Sequence, residues 1–392
     1  MERYAPYFYV EIGGTKLPKD IRDHVTSFEY EDDENKMDML SLVIEDPEMK
    51  LVDEPLLQEN KEIRVRWGYL GNMSPMRVCT IKEIDYSFGE NRVPRLTLKA
   101  LDKGHCMTGR ASRQCWKNAK VGTVAEDIAK KHGFGTAFEI PDDFPREHIA
   151  QGGKNDMTFL RELAAEHGCK VWVENEVLHI EPTKEKAPAM KFAWGKDRDG
   201  YLMNLTIKSN AEKDKGAGIG TETAIIDPKT GKAVTRKDSG TADPDWNVPL
   251  TEGQPMVETQ QQKKADEAGA ITQTAAGTPQ QAQQASKARV ARASRQAVKA
   301  TAQTLGIPAL KAKTTVTIEN IGKKFSGLWR VTKVRHSITA SGYQCSLELT
   351  KGGISAANKS GKKQNGGQGK ASTPGQTAET GKKNYVEVDV KK

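Results

Sequence analysis

Two segments 250 residues apart carry the same irregular hydrophobic pattern. Residues 78–88 read VCTIKEIDYSF and residues 328–338 read LWRVTKVRHSI. At that offset Ile81 matches Val331, Ile84 matches Val334, Tyr86 matches His336 and Phe88 matches Ile338. In both segments the apolar positions are odd-numbered up to Ile81 or Val331 and even-numbered from Ile84 or Val334. Side chains alternate faces along a strand, so a slip of one residue predicts a β-bulge at the same place in each copy. The flanks repeat as well. Ile63 and Val65 match Val316 and Ile318 at an offset of 253, and Leu96 and Leu98 match Leu347 and Leu349 at 251. Strand, glycine-bearing turn, bulged strand and returning strand thus occur twice in one order, which predicts two similar β units. Three such chains around an axis would present six near-equivalent units, while their unrepeated parts keep threefold symmetry.

Other elements follow from period and punctuation. Phe8, Val10 and Ile12 alternate before Gly13-Gly14, and Leu40, Leu42 and Ile44 alternate before Asp46-Pro47. Short strands at this density argue for a barrel or sandwich. Thr123 followed by Glu126 reads as a capping box, and Val124 and Ile128 share one helix face. A second helix is predicted from Asp156 to His167, with Phe159, Leu160 and Leu163 inward, and a hairpin over residues 171–180. The Ala/Gln-rich stretch predicts a solvated helix at 280–304, with a thin seam of Val290, Val298 and Leu305. Tyr385, Val386, Val388 and Val390 lie in an alternating terminal strand suited to adding onto an exposed strand edge, such as that of a neighbouring subunit.

The expected fold class is mainly β with an α+β insert, in which two similar β-barrel domains per chain trimerise into a pseudo-hexameric ring. The first barrel spans 1–105 and the inserted α+β domain 106–195. The second barrel combines 196–235 with 305–351. A Gln/Ala-rich linker and helix fill 236–304, and a Gly/Lys-rich tail with the terminal strand fills 352–392.

Composition limits the alternatives. The chain has 392 residues with 36% hydrophobic content, and no run approaches the roughly 18 apolar residues that a membrane helix needs. The five cysteines, at 79, 106, 115, 169 and 345, are odd in number and lack C-x-x-C spacing. They indicate neither a disulfide scaffold nor a zinc knuckle, and fit a soluble protein made in a reducing compartment. Charge is unevenly placed. Residues 1–60 carry 6 Lys+Arg and 16 Asp+Glu, residues 61–132 carry 15 and 7, and residues 352–392 carry 8 and 3. Opposed blocks suit complementary contacts between subunits. A nucleic-acid binder would show a continuous basic face with interleaved aromatics instead.

The stretch from Gly322 to Leu349, with Phe325, Gly327, Trp329, Arg330, Val331, Val334, His336, Gly342 and Tyr343, resembles the C-terminal signature of the phage late control D family. Gln151, Asn155-Asp156, Phe159 to Ala164 and Gly168 resemble the same family, as does Gly68-Tyr69. The resemblance covers about residues 5–205 and 305–350. Cys79 stands where a glycine is expected at the turn before the long strand. The family comprises contractile-tail hubs related to the N-terminal part of VgrG spikes. The resemblance implies a non-catalytic homotrimer that joins a hexameric tail tube to a trimeric spike. Baseplate wedge proteins are further implied partners and a tape measure protein a further candidate. DNA would pass only as cargo, and no integral membrane contact is implied. The implied place is the virion baseplate, assembled in the bacterial cytoplasm. A hub with an associated peptidoglycan-degrading activity, or a hub of a tailocin or extracellular injection machine, are the alternatives.

No catalytic, cofactor-binding or metal site is expected. His105-Cys106 and His167-Gly-Cys169 are neighbours in sequence, which rarely gives nucleophile–base geometry. His167 would sit in a helix's last turn, where a cation is favoured. Gly216, Gly218 and Gly220 have no following helix to receive a phosphate. Asp142-Asp143 and Asp197/Asp199 read as acidic loop pairs. The structural or interface candidates are Ile81, Ile84, Tyr86, Phe88, Phe325, Gly327, Trp329, Val331, Val334, His336, Ile338, Tyr385, Val386, Val388 and Val390.

Overall fold

The computed structural model describes residues 5–183, 188–195, 201–209, 288 and 298–351, with short strands at 221–226, 233–238, 270–271 and 386–388. From the amino terminus, β1 (Pro6–Ile12) and β2 (Thr15–Lys16) form a hairpin, and helix α1 (Lys19–Asp23) leads into β3 (Val25–Asp33) and β4 (Met39–Glu45). Next come β5 (Glu62–Tyr69), β6 (Asn72–Met73), the long β7 (Arg77–Ser87) and β8 (Arg95–Asp102). An α+β stretch follows: β9 (Cys115–Ala119), α2 (Val121–Lys131), β10 (Gly135–Phe138), β11 (Arg146–Ala150), α3 (Asp156–Ala165), β12 (Cys169–Glu174) and β13 (Val177–Pro182).

The chain then returns to the sheet with β14 (Met190–Ala193) and β15 (Leu202–Ser209). A separate small sheet contains β16 (Thr221–Ile226), β17 (Ala233–Asp238) and β18 (Ala270–Ile271). The second half of the repeat comprises β19 (Val298–Leu305), β20 (Thr315–Glu319), the short helix α4 (Gly322–Phe325), β21 (Gly327–Thr339) and β22 (Gly342–Lys351). Last, β23 (Val386–Val388) pairs antiparallel with β17 of its own chain. Tyr385 and Val390 lie outside the described residues.

The two β units are built alike. In the first, strands run in the order β1–β5–β7–β8–β4–β3; in the second, β14–β20–β21–β22–β19–β15. The expected bulges are present. Register shifts between Ile81 and Glu83 against β8, and between Val331 and Lys333 against β22, exactly 250 residues later. A second matched pair was not foreseen: β3 shifts against β4 between Val25 and Ser27, and β15 shifts against β19 between Leu202 and Asn204. The returning strands need a correction. Ile81 faces Ala100 and Val331 faces Leu349, so Leu98 corresponds to Leu347, an offset of 249 rather than 251. A two-residue slide keeps every side chain on its face, so the hydrophobic pattern cannot detect it.

The units do not form two separate barrels. They share one 14-stranded, mostly antiparallel, curled sheet. The reason lies in the length of β21. Its residues 327–330 pair with β20, while residues 333–339 extend past β20 and take β3 of the first unit on the same edge. One hydrophobic core runs through both units, from Ile12, Phe28 and Leu40 to Trp329, Val334 and Leu347. A second core, around Leu160, Ile128 and Ile180, belongs to the α+β stretch.

Three local expectations are revised. Val298 and Leu305 lie in a strand, not a helix, and β19 buries Val298, Ala300 and Ala302 between β15 and β22. Pairing on both sides overrides the alanine preference for helix. Helix α2 starts at Val121, and the Asp143 carboxylate receives the Val121 and Gly122 amides at 2.9 Å each, so Thr123 is not its cap. Cys79 is fully buried inside β7 and not at a turn. Near the end of β5, Gly68 has φ +147°, and a Cβ there would lie 2.3 Å from the Asn72 carbonyl oxygen. Only glycine fits that approach.

Candidate assembly interface

The junction of the two units is a strand pair with opposite charge on its two sides. On the inner face Phe28 meets Ile338, Tyr30 meets His336 and Asp32 meets Val334. On the outer face Glu31 binds Lys333 at 2.6 Å and Arg335 at 2.9 Å, and it is nearly buried. Glu34 receives Arg330 through both Nη2 (2.9 Å) and Nε (3.2 Å), with both side chains buried. Burial works against the Glu34 carboxylate, but the Arg330 guanidinium and Lys170 outweigh it and hold its pKa low. Four carboxylates of the acidic block, Glu31, Asp32, Glu34 and Asp38, are thus paired with cations at 313–335 of the same chain.

Aromatic rings tie the same junction together. Trp67 stacks on Tyr30 with centroids 4.4 Å apart and lies 4.9 Å from the His336 ring of the other unit. His336 is fully enclosed; its Nδ1 lies 2.8 Å from the Tyr343 hydroxyl and its Nε2 3.1 Å from the Leu310 carbonyl. Burial lowers its pKa to about 4, so the imidazole is neutral and serves as a packed strut.

Beneath the junction lies an acidic knot. Lys313 Nζ reaches Asp32 at 2.6 Å and Asp38 at 3.6 Å. Asp38 accepts from the Tyr30 hydroxyl at 3.1 Å, and Asp102 accepts from the Asp38 amide at 2.7 Å. Burial, reinforced by the Asp32 charge, pushes Asp38 up to about 8. Asp38 is therefore mainly protonated at neutral pH, whereas an unfolded aspartate ionises near pH 4. Between those two values the folded chain holds the extra proton, so its contribution to stability falls as pH rises from about 4 through about 8. Asp38→Asn mimics the protonated acid. The variant is expected to lie within about 1 kcal/mol of the parent at pH 5 and to gain on it by about 3–4 kcal/mol by pH 8. Urea unfolding at both values checks this, and parallel pH profiles would contradict a protonated Asp38.

The sequence candidates separate into core and surface. Ile81, Val331, Val334 and Ile338 are buried. Phe325, Gly327 and Trp329 form an internal clamp: Trp329 Nε1 donates to the Phe325 carbonyl at 3.0 Å, and Lys351 Nζ donates to the Phe325 and Ser326 carbonyls at 3.1 and 2.7 Å. Val386 and Val388 are in β23, which pairs with β17 in the separate small sheet. Ile84, Tyr86 and Phe88 differ from their repeat partners. Val334, His336 and Ile338 are covered by β3, whereas Ile84 is half-buried, Tyr86 is 39% exposed and Phe88 61% exposed. From Glu83 to Ser87, β7 pairs with β8 on one edge only among the described residues. In the second unit β15, an end strand of the sheet, pairs with β19 on one edge, apart from a single bridge between Tyr201 and Ala193 among the described residues. Its Met203 is 42% exposed. Among the described residues, Glu83 to Ser87 of β7 and the strand β15 thus each leave one edge unpaired, one on each unit.

The enzyme-like pairs resolve differently from their sequence order. Cys106 Sγ lies 3.4 Å from His132 Nδ1, and His132 Nε2 lies 2.7 Å from Asp156 Oδ2, a contact between distant residues that sequence adjacency could not signal. Burial raises the Cys106 thiol pKa, with the Asp102 and Asp156 charges adding to it, the reverse of what an activated nucleophile needs. Asp156 is also held by Lys131 and Gln151, as a helix-start anchor. His167 is not the expected cation: Arg146 donates to its Nε2 at 2.8 Å, and burial lowers its pKa. Gly216, Gly218, Gly220, Asp197 and Asp199 lie outside the described residues. Among the described residues no cluster of three or more His, Cys, Asp or Glu is arranged to hold a metal, and no helix is long and apolar enough to cross a membrane.

The fold is shared with solved tail proteins. The 43 kDa tail protein of prophage MuSo2 from Shewanella oneidensis superposes with a TM-score of 0.65 at 12% identity, over 88% of this chain and 98% of that one. A tail protein from Neisseria meningitidis MC58 gives 0.65 at 13%, over 90% and 98%. The c3393 protein of E. coli, described as a component of the type VI secretion system, gives 0.53 at 10%, over 89% and 78%. At these identities the likeness is one of fold. No curated protein matches the sequence. The matching family model is not the late control D family that residues 322–349 resemble. It is the Alg8 N-terminal domain, matched over residues 4–340, and the chain belongs to that family.

Proposed function

We propose that this chain is a structural hub of a contractile phage tail or a related injection machine. Three copies would close into a ring of six near-equivalent β units that joins a sixfold tail tube to a threefold spike. The observation that carries the reading is the duplicated unit: two copies of one strand order lie side by side in a single sheet, with an open edge on each. The shared fold with tail proteins and with a type VI secretion component supports it, as does the resemblance of residues 322–349 to the late control D family. Within this reading the α+β stretch packs outside the ring, and the partners are a tube hexamer, a trimeric spike and baseplate wedge proteins. DNA or effector passes through the centre without specific contact. The role needs no catalysis.

The mass of the purified chain in solution tests the proposal. Light scattering is expected to give three chains per particle, and averaged electron images of that particle are expected to show six similar lobes. A monomer at all concentrations, with or without spike partner, would overturn the hub.

A further inference from the structure

The internal junction is a template for the contact between chains. We propose that β15 of one chain pairs antiparallel with the open edge of β7 on a second copy, in the register that β3 and β21 use within the chain. This rests on the ring reading above and specifies its contact.

The equivalences come from the pairings. Tyr30 reaches Ala100 through Leu40, and Ile207 reaches Leu349 through Ala300, so β3 maps onto β15 with Tyr30 on Ile207 and Phe28 on Leu205. The matched bulges at Val25/Ser27 and Leu202/Asn204 agree with that mapping. Residues of β21 map onto β7 through the bulge at Val331 and Ile81. Transferring the β3–β21 register then sets Tyr86 opposite Ile207 and Phe88 opposite Leu205 on the inner face. Asp85 falls opposite Lys208, and Ser87 opposite Thr206, on the outer face. The exposed rings of Tyr86 and Phe88 would be covered as His336 and Ile338 already are.

Charge chooses the occupant. At the internal junction an anion, Glu31, sits between two cations, Lys333 and Arg335. The transferred register places a cation, Lys208, at the same point between two anions, Glu83 and Asp85. The signs are inverted at these three positions. Pairing β3 with a β7 edge would oppose Glu31 to Glu83 and Asp85, and pairing β15 with β21 would oppose Lys208 to Lys333 and Arg335. Like charges directly across strands disfavour a pairing, so both wrong matches are rejected and the first and second units must alternate. Lys99, which binds Glu83 and Asp85 at 2.8 Å each, keeps the two anions ordered on the β7 side. The partner that fits this edge is a second copy of the chain.

Paired cysteines and a charge exchange test the contact on the full chain. Facing residues of antiparallel strands lie within disulfide reach, so S87C/T206C is expected to cross-link between chains up to a trimer under mild oxidation. The parent, with its native thiols, is expected not to. Nor is E83C/T206C, which is four residues out of register and separated by roughly 13 Å. K208E is expected to weaken self-association at least about tenfold while far-UV circular dichroism stays unchanged. Combining it with E83K/D85K/K99E, which inverts the whole cluster, is expected to restore association. A trimeric mass without the S87C/T206C link, with the out-of-register pair linking instead, or without rescue by the inverted cluster would overturn this contact and leave the ring standing. A monomeric mass would remove both.

Discussion

Glu34→Ala is expected to destabilise the chain by about 3–5 kcal/mol, because it leaves the Arg330 guanidinium buried without a carboxylate. Arg330 is 7% exposed, and its Nη2 and Nε both converge on Glu34. Lys170 lies 3.9 Å from the same carboxylate and adds a second cation to the site. Replacing the pair together, as E34L/R330M, is expected to cost much less, because neither charge is then left behind. Urea unfolding of the parent, E34L, R330M and the double variant measures this as a cycle, with E34A unfolded alongside. If E34A costs under about 1 kcal/mol, or the double variant is worse than either single one, the ion pair is not what holds Glu34 in place.

Trp67→Ala is expected to cost a similar amount, about 3–5 kcal/mol, through the cavity left by a buried indole. Trp67 belongs to the first unit, yet its ring lies against Phe28 and Tyr30 at 5.8 and 4.4 Å and against His336 of the second unit at 4.9 Å. The loss should therefore appear as loosening between units as well as lower global stability. Hydrogen exchange is expected to speed up along residues 333–339 as well as around residue 67. A change confined to β5 would mean that the two units do not depend on one another through this ring.

What the sequence made legible was periodicity. A bulge reverses which residues are apolar, so the slip at Ile81/Glu83 and its copy at Val331/Lys333 could be read from the letters. What stayed hidden was identity of neighbours. The pattern of β21 states that Val334, His336 and Ile338 face inward, but not that β3 covers them, so two barrels were expected where one sheet formed. The same blindness explains the misplaced offset of β22, since a slide by two preserves the pattern. Residues 298–305 misled for a different reason: alanine favours helix when unconstrained, and only the flanking strands make its small side chain useful in a sheet. Of the interface, Tyr86 and Phe88 were named from the repeat, but their exposure followed only from the missing cover. Lys208 carried no signal until the register placed it. Asp143 and His132 act through residues far along the chain, which composition and spacing do not reveal.

The pairing of Phe28 with Ile338 also bears on how the chain is made. A ribosome delivers β3 early, but its final neighbour only about 300 residues afterwards, at roughly 5–20 residues per second. Throughout that interval one flank of β3 is an uncapped template for stray aggregation. Glu29, Glu31, Asp32, Asp33 and Glu34 make that template strongly anionic, so nascent copies on one polysome repel each other until the late lysines and arginines arrive. The carboxylates that later lock the two units together thus first act as a built-in guard during translation.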